Sequence, residues 1–134
     1  DVDAGEVGAG HQVTALYELK LAAESSDTSL GVVRVRYELP HHHPRAGQVR
    51  EISHALTRAD LMPAFDQTPP RYRLQAVAAE FAEILRGSYW AKESTCAELV
   101  PVADAVAAEL DGDEQAAELA RLIRLAADLE ARRN

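Results

Sequence analysis

Three consecutive histidines, His41-His42-His43, are the residues of this chain whose type best suits chemistry, with His54 further along the sequence. Neutral imidazoles hold zinc or nickel, and adjacency raises the local concentration of donors. Neighbouring side chains in an extended loop point in alternating directions, however, so at most two of the three reach one ion unless His54 or a carboxylate completes the set. His41, His42, His43 and His54 are therefore the candidate metal ligands, set against the simpler reading of a solvated loop. Gly5, Gly8 and Gly10 have the composition of a phosphate cradle but not its order. They precede a strand-like segment, whereas phosphate loops follow a strand and open a helix, so a tight turn containing a structural His11 is the expectation. Cys96 has no histidine at motif spacing and reads as a small buried thiol at a helix start. Neither Ser53-His54 nor Ser94-Thr95 carries a nucleophile signature. The expectation is a non-catalytic chain without a cofactor.

The elements that must position these residues follow from periodicity. Val13 to Leu21 alternates, with Val13, Ala15, Tyr17, Leu19 and Leu21 on one face, which predicts a half-buried strand. After the polar run Glu24 to Ser29, a second alternation places Val33, Val35, Tyr37 and Leu39 inward and Arg34, Arg36 and Glu38 outward. Pro40 to Gly47 is a loop by composition. Gln48 to Leu56 reads as a third strand whose irregular period suggests a bulge or an edge. Short connections favour an antiparallel meander of about three strands, part of a sandwich-like sheet.

Beyond Pro69-Pro70 the period changes to 3.6 residues. Leu74, Val77, Ala78, Phe81, Ile84 and Leu85 form one stripe, closed by Gly87 at a helix C-cap position. Thr95 and Glu98 make a capping box ahead of Leu99, Val102, Ala103, Val106 and Leu110, with Pro101 either kinking this helix or starting it. Asp111 and Glu114 repeat the capping pattern before Leu119, Leu122, Ile123, Ala126 and Leu129, with Arg124 and Asp128 spaced for an i,i+4 pair. The layout is α+β in a single domain spanning 1–134, residues 1–60 mainly β and 70–134 mainly α, with about three helices over the sheet or bundled beside it. Tyr89-Trp90 follows the first helix and reads as a lid on the helix and sheet junction or as a docking patch. Tyr17, Tyr89 and Trp90 are the candidate interface residues.

Composition limits the function classes. The chain has 134 residues, 47% hydrophobic and 27% charged, enough to bury a core and too apolar for a disordered polymer. A formal charge of −8 disfavours nucleic acid, which is bound through a net basic face. No apolar run reaches the length of a membrane span, and a lone Cys96 excludes an internal disulfide. Nothing in the residues themselves fixes a compartment.

AGEVGAGH at residues 4–11 followed by VTALYEL, VRVRYELP at Val33 to Pro40, and LQAVAAEFAEILRGSYWA at Leu74 to Ala91 carry a resemblance that covers most of the chain. The sequence resembles the C-terminal domain of bacterial von Willebrand factor type A proteins, a domain of unknown function. The resemblance implies a C-terminal fragment of a larger multidomain, envelope-associated protein. It also implies an accessory or protein-interaction role beside an adhesion domain, and an upstream segment supplying further β structure. A type A domain holds its Mg²⁺ with an Asp-x-Ser-x-Ser cluster. Only Asp27-Thr28-Ser29 comes near that spacing, and it reads as a polar turn. The expected partners are a protein or the upstream domains of the same chain. If upstream strands pair with Val13 to Leu21, the open edge left here is a template for a homodimer.

Overall fold

A computed structural model describes residues 7, 8, 10–21 and 28–132. Gly5, the polar run from Glu24 through Asp27, and Arg133-Asn134 lie outside the described residues. The fold is α+β: strands β1 (Ser29–Glu38) and β2 (Val49–Thr57), then helices α1 (Pro70–Leu85), α2 (Cys96–Glu109) and α3 (Glu114–Ala131). Single 3₁₀ turns occur at Arg58–Asp60, Phe65–Gln67 and Tyr89–Ala91. The chain divides into two compact units, Leu19–Pro63 and Asp1–Glu18 with Ala64–Asn134.

The sheet of the first unit is an antiparallel hairpin of β1 and β2, not the three strands expected. Its register pairs Val33 with His54, Val35 with Ile52 and Tyr37 with Arg50. Residues directly opposite share a face, so Val33, Val35, Tyr37, Ile52 and Leu56 form a mainly apolar side. Arg34, Arg36, Glu51 and Ser53 lie on the other, where Arg34 and Arg36 both reach the Glu51 carboxylate at 3.7 and 3.9 Å. The irregular period of the β2 sequence is thus a change of face, with Val49 opposite Glu38 on the charged side. The register shift falls instead on β1, between Ser29 and Gly31. At the base of the hairpin the Arg58 N–H donates to the Thr28 carbonyl at 2.9 Å. The Asp60 carboxylate accepts from the Thr57 hydroxyl and N–H at 2.8 and 2.7 Å, which hold it below the usual carboxylate range.

Val13 to Leu21 forms no strand. Leu16 and Thr14 line a shallow depression with Gln75, Ala78 and Ala79 of α1, while Val13, Tyr17 and Leu19 are exposed. Alternation specifies a strand only where a neighbouring strand accepts its hydrogen bonds. Here the residue that faces the α1 depression, Leu16, belongs to the face expected to be polar.

The three helices share one core: Val77 and Phe81 from α1, Cys96 and Ala103 from α2, and Ala120 and Ile123 from α3. Small side chains at Ala103, Val106, Ala116 and Ala120 let α2 and α3 approach closely, and this is the most extensive helix pairing. Both ends of α1 follow from its sequence. Pro69-Pro70 starts it with Pro at the position where a missing N–H costs nothing. At the other end Ser88 N–H donates to the Glu83 carbonyl and Gly87 N–H to the Ile84 carbonyl, each at 3.0 Å, a Schellman closure that needs the left-handed φ of +64° at Gly87.

Helix α2 begins with the expected box, in which the Glu98 carboxylate accepts from Thr95 N–H at 2.9 Å and from its hydroxyl at 3.0 Å. It does not start at Pro101 but runs from Cys96 through it. Helix α3 is capped by Asp113 rather than Asp111: the Asp113 Oδ1 accepts from the Gln115 and Ala116 N–H groups, both at 3.0 Å. Asp111 and the left-handed Gly112, with φ of +81°, form the turn between α2 and α3.

Candidate functional site

The histidine loop joins β1 to β2 and is exposed. It is a compact turn held by its own backbone: His43 N–H donates to the Pro40 carbonyl at 2.8 Å, and Ala46 N–H to the His43 carbonyl at 2.9 Å. The His43 Nδ1 accepts from the Arg45 N–H at 3.1 Å, so that ring nitrogen is engaged within the loop. His54 lies opposite Val33, five ladder positions from the loop end of the hairpin, a span of roughly 16 Å along a strand. The structure therefore does not bring His54 to the other three. Among the described residues no group of three or more His, Cys, Asp or Glu side chains is placed to hold one metal ion.

Cys96 is fully buried in the helical core. Burial pushes its thiol up to about 11, and the neighbouring Glu130 carboxylate pushes in the same direction. A thiol so placed stays protonated and is a packing group. Glu130 also reaches across from the end of α3 to accept from the Cys96 backbone N–H at 3.1 Å, capping the first turn of α2. The Ser88 hydroxyl likewise accepts from the Trp90 N–H at 3.3 Å, at the start of a 3₁₀ turn.

A polar depression lies where Arg71, Glu109, Leu110 and the Asp111–Gln115 turn meet. Its charged groups are largely matched to one another. Arg73, itself buried, spreads its two terminal nitrogens over both Glu109 oxygens at 3.0 and 2.6 Å, and its Nε donates to the Thr68 carbonyl at 3.1 Å. This fork ties the start of α1 to the end of α2 and holds the Glu109 carboxyl below its ordinary value. Arg71 pairs with Asp113, whose carboxyl is held low first by the Ala116 N–H and then by Arg71. These are structural couples between helix ends.

Tyr89 and Trp90 form an exposed aromatic corner. Their rings meet edge to face, 5.4 Å between centroids, and the Lys92 ammonium stands 3.7 Å over the Tyr89 ring. Trp90 is 83% exposed, so it is not the lid over a helix and sheet junction that its apolar area suggested. Tyr17 is also exposed.

Two pairings have no signal in the sequence. The Arg73–Glu109 fork joins residues far apart in sequence and leaves no periodic signal. Arg124 pairs not with Asp128 along its own helix but with Asp104 of α2. The apolar side of the hairpin is the more consequential surface: Val35 and Ile52, directly opposite each other, are 50% and 58% exposed, and Val33 and Tyr37 beside them are exposed too. No described helix is long and apolar enough to cross a membrane.

No curated protein and no solved structure matches the chain. The family described as "Uncharacterized protein YfbK, C-terminal" matches residues 1–30 and 20–129, and with most of its length so covered the chain belongs to that family.

Proposed function

We propose that this domain is a non-catalytic accessory module of a von Willebrand factor type A protein, making protein contacts through the hairpin Ser29–Thr57. Its partner in this reading is an extended segment of the preceding part of the same polypeptide. One observation carries the reading: among the described residues the sheet has two strands, so each has an edge with no strand beside it, and one face of the hairpin is mainly apolar yet solvent-exposed. A two-stranded hairpin is marginal in water, and a third strand over an apolar face is the usual remedy. The family's own description, the C-terminal part of a YfbK protein, supports a donor preceding it. The alternating segment Val13 to Leu21, exposed at Val13, Tyr17 and Leu19, offers a strand pattern to a neighbour that accepts its hydrogen bonds. The parent is then bacterial and envelope-associated, as the resemblance implies.

Amide hydrogen exchange tests this reading. In the domain alone, the amides of β1 and β2 are expected to exchange fast, and in a polypeptide carrying the preceding segment they become protected by at least about tenfold. A second copy acting as the donor instead would make protection of the domain alone rise with its concentration. Equal protection in all cases overturns the reading.

A further inference from the structure

Helix α3 is apolar on two opposite sides. Ala116, Ala120 and Ile123 face the core, with Ala127 packed beside them. Leu122, Leu125 and Leu129 lie on the far side, 40%, 50% and 52% exposed, although the sequence pattern assigns Leu122 and Leu129 to the buried stripe. A helix at the rim of a bundle needs one apolar stripe and is polar elsewhere. Successive spacings of three and four residues between these leucines are those of the seam between two paired helices.

The charges beside the stripe indicate the occupant. Arg121 and Asp128, both exposed, flank the leucines on one side, one heptad apart. When two identical helices pair antiparallel, residues on this flank meet their own kind from the other helix. Leu122 then faces Leu125 of the second copy, and Arg121 faces Asp128 of the second copy, with the same pair repeated by the twofold axis. A parallel pair would set Arg121 against Ala126. The contact Arg121 makes within its own helix, to Glu118 at 3.9 Å with both side chains exposed, is too weak to compete.

We propose that the outer face of α3 is a self-association surface that receives α3 of a second copy of this chain, antiparallel, with Leu122 and Leu125 of the two copies interdigitated, Leu129 lying over the Glu118 stem of the other copy at each end, and two Arg121–Asp128 pairs across the seam.

Sedimentation equilibrium over a concentration series tests it. The unaltered chain is expected to form a dimer, and Leu125→Glu to sediment as a monomer with unchanged helical content, since Leu125 is not in the core. Arg121→Asp and Asp128→Arg each turn two attractions into two repulsions and weaken the dimer by about tenfold, and the double variant recovers to within about threefold of the original. Three results overturn the proposal: a monomer at concentrations up to about 1 mM, a dimer indifferent to Leu125→Glu, or a double variant no tighter than the single ones. None of these substitutions touches the hairpin, so the outcome is independent of strand addition there.

Discussion

Several charged groups of this chain hold helix ends, among them Arg73 with Glu109, Arg71 with Asp113, and Glu130 on the Cys96 N–H. Glu109 shows the consequence, because Arg73 keeps its carboxyl below the ordinary value. The folded state therefore releases the Glu109 proton more readily than the unfolded chain, and the contribution is complete above a pH of about 4.3 and is lost as pH falls through the depressed value. Arg73→Gln is expected to lower the urea midpoint at neutral pH and to flatten its decline between about pH 5 and pH 3. An unaltered acid limb would mean that the fork contributes nothing. The same pair shows what is hidden at residue scale: nothing in the spacing of Arg73 and Glu109 distinguishes them from other acids and bases. Only the meeting of α1 with α2 makes them partners.

At the scale of elements, local chemistry was highly legible. Gly87, Thr95 and Glu98 sit at the helix boundaries their types predict, because a cap is decided by residues within one turn of each other. Pro101 is the local conflict. It is the sixth residue of α2, past the first turn, so the helix forgoes a hydrogen bond to the Ala97 carbonyl and crowds it. The side chain is exposed and its removal opens no cavity. Pro101→Ala is expected to stabilise the helical unit by about 1–2 kcal/mol after the loss of proline's stiffening of the unfolded chain. Thermal melts followed by circular dichroism would show it as a raised Tm, and a lowered Tm would mean that Pro101 is held by contacts beyond its own helix.

At the scale of the whole molecule, the helical core is built of small residues around a few larger ones, and Ile123 is among its largest fully enclosed side chains. Ile123→Ala is expected to cost about 2–5 kcal/mol, read as a fall in the urea midpoint at constant slope. A loss below about 1 kcal/mol would mean that the core collapses onto the vacancy. By itself the sequence determined the α+β class, the two strands that pair and the three helices with most of their ends, since periodicity and capping act between near neighbours. It did not determine whether Val13 to Leu21 is a strand, because a strand exists only with a partner for its backbone. Nor could it say which leucines of α3 are buried, since the stripe it presents is wider than one face of a helix. The tertiary structure decided both, through the one thing a linear pattern lacks: Leu16 lines a depression with α1 and not a sheet, and α3 turns Ala120 and Ile123 to the core, which leaves Leu122, Leu125 and Leu129 on its far side.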